Sequence, residues 1–365
     1  MAGIVQSVVD LVLWFVNLLS SLWRRVSSST LKLDTGLRVS VGRKIAEGGF
    51  SFVFEATDSK GTKYALKRIH VGDREVLSSC KNEVGVHRAL RHPHLMPLLG
   101  MCHKDPAFYM LFPFMPRSLR SHVNQYVFDQ TPSQKPMEEL LVLRLFHQLL
   151  SAVATMHATN FSHRDIKLEN VLLKDSKTAV LMDFGSVGPV LQSLATRKDV
   201  MEVAEQASQH TTLPYRPPEL LEGNLRAGDP PLNYALVDVW SLGCTIFAMM
   251  FGASPFECEF RKHSGELRVV DCTQLRILGS PSMPPRQTDI GRWYSVDLLR
   301  IIENMLLLDR AQRPSVDAVT EQVERLIRQQ GGRVPTIQRP TTGSSVPTND
   351  HDLDDLFGGD RAGFV

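Results

Sequence analysis

The sequence predicts an α+β fold in which a small region of strands comes before a larger, mainly helical region. Three strand-like runs come first, and they span residues 37–45, 52–58 and 64–70. Helical patterns then dominate, and the spacing of apolar residues predicts a buried helix over residues 141–157. One face of this helix would carry Leu145, Leu149, Val153 and Met156. With 365 residues, 43% of them hydrophobic, the chain can bury a large core, which favours two lobes.

Composition argues against several classes of function. Lys and Arg number 41 against 39 for Asp and Glu, so the basic excess typical of nucleic-acid-binding proteins is missing, and no nucleic-acid partner is predicted. The 5 cysteines never form a C-x-x-C pair, which argues against zinc and a disulfide framework and favours a reducing compartment. Residues 240–251 are nearly all apolar, but about a dozen residues are too few to span a bilayer, so we expect a core helix there.

The N-terminal segment, residues 1–30, is predicted to associate with a membrane. Residues 4–23 are mostly apolar, and as a helix they would reach roughly 30 Å, the thickness of the hydrocarbon layer. A polar stripe also fits a helix lying in the interface plane, and it comprises Ser7, Asp10, Asn17, Ser21 and Arg24. A secretory signal fits poorly because Arg24 and Arg25 follow the apolar run. If residues 4–25 span the membrane, these arginines hold the folded domain on its cytosolic side. The alternative is a helix packed on the protein itself or on a partner.

The rest of the chain divides into a folded domain and a tail. Residues 36–330 are interpreted as one folded domain, with an N-terminal lobe of about residues 36–115 and a C-terminal lobe of about 116–330. Residues 331–365 are rich in Gly, Pro, Ser and Thr and become acidic at 350–355. This composition predicts a disordered tail.

A glycine-bearing turn between the first two predicted strands is the first candidate site. The turn reads Ala46-Glu47-Gly48-Gly49-Phe50-Ser51-Phe52-Val53. Without Cβ atoms, its glycines let backbone N–H groups approach phosphate oxygens. The turn alone is a weak signal because many hairpins carry Gly-Gly. Lys67 follows on the next strand and offers a cation to phosphates, and Glu83, on a predicted helix over residues 81–90, can hold that lysine.

A second cluster is far more specific. His163-Arg164-Asp165-Ile166-Lys167-Leu168-Glu169-Asn170 is followed by an apolar strand and then by Asp183-Phe184-Gly185. Phosphoryl transfer needs a carboxylate near the attacking hydroxyl and hard oxygen ligands for Mg²⁺. Asp165 suits the first task, and Asn170 and Asp183 suit the second. Lys167 can neutralise charge on the moving phosphoryl group.

On these motifs the chain resembles the eukaryotic protein kinase family over about four-fifths of its length. The resemblance implies a bilobal fold, with an antiparallel-sheet N-lobe carrying helix C and a larger helical C-lobe. It also implies ATP and Mg²⁺ as cofactors, and protein substrates. Lys67 and Glu83 match the family's lysine and its helix-C partner, and Asp165 matches the catalytic aspartate. Asn170 and Asp183 match the metal ligands.

Further positions extend the resemblance. Glu219, in Pro217-Pro218-Glu219, is implied to pair with Arg313, and Asp238 matches the residue that supports the catalytic loop, residues 163–170. Lys167 is typical of serine/threonine kinases, and Thr212 matches the threonine that contacts Asp165 and Lys167. Serine and threonine are therefore the predicted acceptors.

The residues implied to bind the adenine ring come from several segments. Phe112-Pro113-Phe114-Met115 matches the hinge, with Phe112 as gatekeeper, and the Pro113 carbonyl and the Met115 N–H would face adenine. The side chains implied to sandwich the purine are Val53, Ala65 and Leu172. Without the resemblance to kinases, residues 112–115 would be interpreted as the end of an ordinary apolar strand.

Two features depart from the kinase pattern. Ala46 and Ser51 replace the first and third glycines of G-x-G-x-x-G, but both are small, so we expect ATP binding to be retained. His87, four residues after Glu83, stands where the family has an apolar residue. We expect a neutral, packed histidine there.

Within the kinases, the chain resembles the Numb-associated family, especially its myristoylated and palmitoylated serine/threonine kinases. The shared stretches include residues 47–51, 64–68, 181–183 and 248–252. The long activation segment, residues 183–219, has a stretch at 198–206 able to form the extra helix of that family. A helix there would hold the segment by packing, so we expect activity without an upstream kinase.

The expected membrane location resembles that of the acylated kinases, but the segment that anchors the chain differs. Residue 2 is Ala, where myristoylation requires Gly, and no cysteine precedes Cys80. We expect residues 4–25 to replace the lipids on the cytosolic face of a Golgi or other secretory or endosomal membrane. Residues 352–357 resemble peptides that dock on clathrin adaptors, which would suit a trafficking kinase. A solvated tail without binding function is the alternative that composition favours.

Two other functions compete with an active protein kinase. A membrane-tethered pseudokinase scaffold would be indicated by loss of Lys67, Asp165 or Asp183, yet all three are present. A kinase of small molecules or lipids is the second rival. The Glu219, Asp238 and Arg313 elements disfavour it because they match the peptide-binding lobe of the family.

Overall fold

The computed structural model describes residues 30–48, 51–127 and 136–334. Its strands are β1 (Thr30–Lys32), β2 (Arg38–Glu47), β3 (Ser51–Asp58), β4 (Lys63–His70), β5 (Gly100–Lys104), β6 (Ala107–Pro113), β7 (Arg117–Ser118), β8 (Phe161–Ser162), β9 (Val171–Asp175), β10 (Thr178–Leu181), β11 (Gly188–Pro189), β12 (Leu191–Gln192), β13 (Leu232–Asn233), β14 (Cys258–Phe260) and β15 (Leu267–Val269). Its α-helices are α1 (Arg74–Ala89), α2 (Leu119–Val127), α3 (Glu139–Ala158), α4 (Arg197–His210), α5 (Tyr234–Phe251), α6 (Gln274–Ile277), α7 (Val296–Met305) and α8 (Val316–Gln329). Gly49, Phe50, the segment 4–25 and the tail motif 352–357 lie outside the described residues.

The first of two compact units is built on an antiparallel sheet. It takes in the described residues up to Ser78 together with Pro97–Phe114, and its six strands follow the order β1-β2-β3-β4-β6-β5. β2, β3 and β4 match the three predicted strand runs within two residues at each end. β1 was not predicted. Its Leu31 pairs with Val39 of β2, and both side chains join a buried apolar cluster, so the sheet begins before residue 36.

The second unit is mainly helical. It takes in Ser79–Met96 and the described residues from Met115 onward, and its core is one large apolar cluster around α3 and α5. α5 is capped by Gly252, whose φ of 87° is in the left-handed region that glycine adopts readily. The predicted α+β fold is confirmed by this sheet and these helices.

Two helices of this unit are long and apolar enough to cross a membrane, judged by length and composition alone. Both are core helices, because 67% of the apolar stretch of α3 and 89% of that of α5 is buried inside the protein. Leu145, Leu149, Val153 and Met156 of α3 are fully buried, as their spacing predicted. The core helix predicted over residues 240–251 is confirmed as part of α5.

Candidate active site

A buried carboxylate positions the catalytic loop, residues 163–170. Asp238 on α5 is fully buried, and its two oxygens accept the backbone N–H groups of His163 and Arg164, each at 2.8 Å. His157 Nε2 is also 2.8 Å from Asp238 Oδ2. These hydrogen bonds compensate the carboxylate for its loss of water and fix the loop backbone. The support that the kinase resemblance implied for Asp238 is therefore confirmed.

Asp165 lies at the centre of a polar network. Lys167 Nζ donates to its Oδ2 at 2.7 Å, and the Thr212 hydroxyl donates to its Oδ1 at 3.0 Å. Lys167 Nζ also donates to Thr212 Oγ1 at 2.6 Å, which closes a triangle. The expected contacts of Thr212 with both residues are confirmed. These contacts hold the Asp165 carboxylate in one orientation.

Asn170 is oriented by the same carboxylate. Its Nδ2 donates to the Asp165 carbonyl at 2.8 Å and to Asp165 Oδ2 at 3.0 Å, so the amide nitrogen is engaged and the oxygen can accept a cation. The Asn170 carbonyl accepts the Met182 N–H at 2.9 Å, which joins this loop to the residue before Asp183. The loop that carries Asn170 is therefore hydrogen-bonded to the backbone that leads into Asp183.

Asp183 has an uncommon backbone conformation. Its φ of 68° is left-handed, which for a residue other than glycine costs on the order of 1 kcal/mol. The following Phe184 is buried and stacks on His87 with ring centroids 4.3 Å apart. His87 is buried, and its Nδ1 lies 3.0 Å from the Met96 carbonyl, in line with the packed histidine that we expected.

The oxygen atoms of Asn170 and Asp183 suit Mg²⁺, a hard cation that prefers oxygen ligands. Among the described residues, no group of three or more His, Cys, Asp or Glu side chains could hold a metal ion by itself. A cation at Asn170 and Asp183 would therefore need further oxygens, and nucleotide phosphates provide them.

The predicted nucleotide-binding residues of the first unit share one part of its sheet. Val53 pairs with Lys67 on one side and with Ala46 on the other, and Ala65 lies two residues from Lys67 on the same strand face. Glu47 is the last residue of β2, and the Gly48 N–H donates to the Ser51 carbonyl at 2.8 Å, which closes the turn.

The remaining predicted positions lie on other elements. Pro113 ends β6, Met115 comes two residues later, and Leu172 lies on β9. Glu83 lies on α1, with 7% of its surface exposed.

Glu219 and Arg313 form a buried, bidentate ion pair. Arg313 Nη1 and Nη2 donate to the two Glu219 oxygens at 2.7 and 2.8 Å. The guanidinium also lies over the ring of Trp240, 4.8 Å from its centroid. This pairing was implied by the resemblance and is confirmed.

The activation segment contains the helix that the sequence predicted, and the helix is longer than expected. α4 covers 197–210 where residues 198–206 were predicted. It begins with a capping box, in which Thr196 Oγ1 accepts the Asp199 N–H at 3.2 Å and Asp199 Oδ2 accepts the Thr196 N–H at 2.9 Å. Its buried side chains, Val203 and Ala207, join a small apolar cluster with Leu194, Leu220, Leu232, Tyr234 and Val237.

Arg164 joins α4 to the catalytic loop, a connection that the sequence analysis missed. Its Nη1 donates to Gln206 Oε1 at 3.3 Å, its Nη2 donates to the Pro189 carbonyl at 2.8 Å, and its guanidinium lies 3.8 Å from the Tyr234 ring centroid. Burial lowers the pKa of Arg164. Gly188 leaves room for the guanidinium, because a Cβ on it would lie 2.4 Å from Arg164 Cζ.

The contacts of two further arginines near the catalytic loop were also missed. Arg120 on α2 donates to Glu169 at 2.8 Å and to the Tyr215 hydroxyl at 3.2 Å. The Arg216 guanidinium donates to Thr211 Oγ1 at 2.6 Å and to the Thr211 carbonyl at 2.9 Å. Burial lowers the pKa of Arg216, partly offset by the charge of Asp165. No sequence motif predicts the contacts of either arginine.

Sheet, helical unit and hydrogen-bonded loop together define a protein kinase. The protein kinase domain matches residues 39–323, so the chain belongs to the protein kinase family. It is a protein serine/threonine kinase that uses ATP and Mg²⁺.

Its relatives carry the same class of name. A probable serine/threonine-protein kinase of Dictyostelium discoideum is 32% identical over 309 residues, which cover 82% of this chain and 25% of that protein. Human serine/threonine-protein kinase 16 is 29% identical over 289 residues, which cover 78% of this chain and 88% of the relative. A second probable kinase of Dictyostelium is 25% identical over 376 residues and is covered over 97% of its length.

Proposed function

We propose that the chain is a membrane-associated serine/threonine kinase of the Numb-associated family that acts in membrane trafficking. It would phosphorylate proteins on the cytosolic face of a Golgi or other secretory or endosomal membrane. The apolar segment 4–23 supports the membrane association. The shared sequence stretches and helix α4 in the activation segment support the subfamily.

The triangle of Asp165, Lys167 and Thr212 is the observation that carries the proposed catalytic roles. Asp165 would orient the substrate hydroxyl and accept its proton, because the surrounding donors hold its oxygens in place. Lys167 would stay close to the transferred phosphoryl group and balance its charge. Mg²⁺ held by Asn170 and Asp183 would neutralise the phosphate oxygens of ATP. Lys67 would contact the nucleotide phosphates, and Glu83 would hold Lys67.

Activity without activation-segment phosphorylation is part of the proposal. The Arg164 guanidinium is already occupied by Gln206, the Pro189 carbonyl and the Tyr234 ring, so it needs no phosphate to order the segment. Val203 and Ala207 add apolar packing from the same helix. Phosphatase-treated enzyme should therefore keep most of its activity. Loss of nearly all activity after dephosphorylation would contradict this part.

The first experiment measures phosphate transfer from Mg·ATP to a mixed peptide library, with native protein and Asp183→Asn compared. Transfer to serine and threonine peptides should fall to background in the variant, because one ligand of the cation is weakened. Asp289→Asn is the matched control, since the Asp289 side chain is fully exposed. If well-folded native protein transfers no phosphate, the substituted glycine turn becomes the leading explanation and the pseudokinase scaffold is favoured.

Membrane association is tested separately from catalysis. Deletion of residues 1–25 should move the protein into the soluble fraction of a cell lysate, and an unchanged membrane fraction would refute this proposal.

A peptide of residues 345–360 should retain clathrin-adaptor subunits if the tail binds adaptors. Failure to retain them would leave the tail as a solvated segment.

A further inference from the structure

The outward face of α4 carries a regular pattern of exposed residues. Val203 and Ala207 point into the protein, while Arg197, Met201 and Glu205 follow one another at four-residue spacing on an exposed face. Met201, a large apolar residue at the centre of the helix, has 63% of its surface exposed. The stripe of Arg197, Met201 and Glu205 therefore has a cation at one end, an apolar residue in the middle and an anion at the other end.

The charges of α4 only partly follow the order that suits a helix. A helix dipole favours acidic residues near the N-terminus and basic residues near the C-terminus. In α4 the basic residues Arg197 and Lys198 lie in the first turn together with the acidic capping residue Asp199, and the basic His210 lies in the last turn. Lys198 is paired within the helix, at 3.6 Å from Glu202, but Arg197 forms no ion pair with any residue in the described part of the chain. Arg197 is therefore a cation at the exposed start of α4 that a group outside the helix could pair with.

We propose that two copies of this chain associate through α4, packed antiparallel about a twofold axis that passes between their Met201 side chains. Arg197 and Glu205 each lie four residues from Met201, so an antiparallel pair places Arg197 against Glu205 of the partner subunit, twice over. The centre of the contact is apolar and its ends are charged, as in the core and rim of protein interfaces. A parallel pair would place like charges together and is disfavoured.

A second copy fits this face better than an unrelated partner. A stripe with opposite charges placed symmetrically about an apolar centre is complementary to itself, and that property needs no other surface to have been matched to it. One pair of helices buries far less than the roughly 1,600 Å² of a standard stable interface, so the association is weak and depends on concentration. It rests on the geometry of α4 alone, independently of the proposed membrane function.

The test is a disulfide cross-link at the proposed axis. Met201→Cys in the full chain, in mild detergent micelles under a gentle oxidant, should give a covalent dimer. Gln209→Cys is the matched control on the same helix: eight residues along α4 correspond to about 12 Å, so two such cysteines would lie roughly 24 Å apart in the antiparallel pair. The native chain sets the background from its own cysteines. We expect at least about fivefold more dimer from Met201→Cys than from Gln209→Cys, and equal yields would overturn the proposal.

Charge reversal then tests the antiparallel pairing. In the Met201→Cys protein, Arg197→Glu or Glu205→Arg alone should reduce the dimer to background, because each puts like charges at both ends of the contact. Mixing the two single variants should restore a mixed dimer, since only a pair made of one chain of each variant brings opposite charges together at both ends. Neither change opposes the helix dipole, so α4 should remain folded.

The outcomes separate cleanly. Arg325→Glu makes the same charge change on the exposed face of α8 and should leave the cross-link unchanged. A dimer yield that stays the same in both Arg197→Glu and Glu205→Arg would overturn the proposal. A mixture of the single variants that fails to cross-link would also overturn it and leave the face to a different partner.

Discussion

Arg164 of the catalytic loop contacts helix α4, but the loop and the helix are held by different kinds of interaction. The loop depends on Asp238, which is fully buried and accepts two backbone N–H groups at 2.8 Å. Helix α4 rests on the buried residues Val203 and Ala207 and on a capping box with exposed members. One element is fixed by buried, charged hydrogen bonds, and the other by a small apolar contact.

The difference indicates where this kinase is rigid and where it can be adjusted. Removing an acceptor from buried N–H groups costs about 1–3 kcal/mol for each group left unsatisfied, so the catalytic loop has few alternative conformations. A helix with few buried side chains opens at a lower free energy than the core. We therefore expect changes at the loop to abolish function and changes at α4 to tune it.

The largest effect is expected from Asp238→Ala. The substitution leaves the His163 and Arg164 N–H groups without their acceptor, and we expect it to lower the free energy of unfolding by about 3–5 kcal/mol and to abolish activity. Urea unfolding and a peptide kinase assay measure both. Asp289→Ala, at an exposed position, should change neither. An unchanged urea midpoint in Asp238→Ala would show that the loop does not depend on this carboxylate.

Gly188→Ala tests the connection between the two regions. The new Cβ would lie 2.4 Å from Arg164 Cζ, so the guanidinium must move away from Gln206 and the Pro189 carbonyl. We expect a loss of about 2 kcal/mol in unfolding free energy and faster hydrogen exchange in α4 than in the catalytic loop. Gly72→Ala is the control, because nothing lies within 4 Å of a Cβ there. Equal exchange in the two segments would argue against the contrast drawn above.

Acid should weaken the helical unit at a point remote from α4 in sequence. Burial lowers the pKa of His92 from its ordinary 6.5 to about 4, and its ring accepts the His94 N–H and contacts Ser151 Oγ at 3.0 Å. The folded state keeps His92 neutral, so its contribution is complete above pH 6.5 and is lost as the pH falls from 6.5 towards 4. At pH 5.5 we expect about 1 kcal/mol less stability, after a reduction for the partial exposure of the ring to solvent. A shallower pH dependence of urea unfolding in His92→Gln would support this, and an identical dependence would exclude it.

The smallest effect is expected at the start of α4. Thr196→Ala removes the side chain that caps the helix, at a local cost of about 1 kcal/mol. Hydrogen exchange should accelerate over residues 197–210, while the global unfolding midpoint hardly changes. Ser315→Ala removes the equivalent cap of α8 and should leave exchange in α4 unaltered. A global loss of stability in Thr196→Ala would show that α4 is as tightly integrated as the catalytic loop.

Local sequence patterns predicted most of the fold and the centre of the site. The helices α3 and α5 were readable because their apolar residues recur over many turns. Asp165, Lys167 and Asn170 were readable because they lie within six consecutive residues. Where all the interacting groups belong to one short segment, residue type and spacing are sufficient.

Other features could not be predicted because their partners lie far apart in sequence. Arg120 meets Glu169 and Tyr215 from 49 and 95 residues away, so no local pattern connects them. Strand β1 has only three residues, too few for an alternating pattern. The last turn of α4 carries few apolar residues, and its helical structure depends on the packing of Ala207.

The early start of the sheet would also limit the distance between the kinase and a membrane that binds residues 4–25. Arg25 lies five residues before Thr30, the first residue of β1, and five residues extend at most about 18 Å. Any surface that binds residues 4–25 therefore keeps the sheet on a short tether. Substrates would then be chosen as much by residence on the same surface as by the sequence around their hydroxyl groups, because local concentration replaces affinity at such distances.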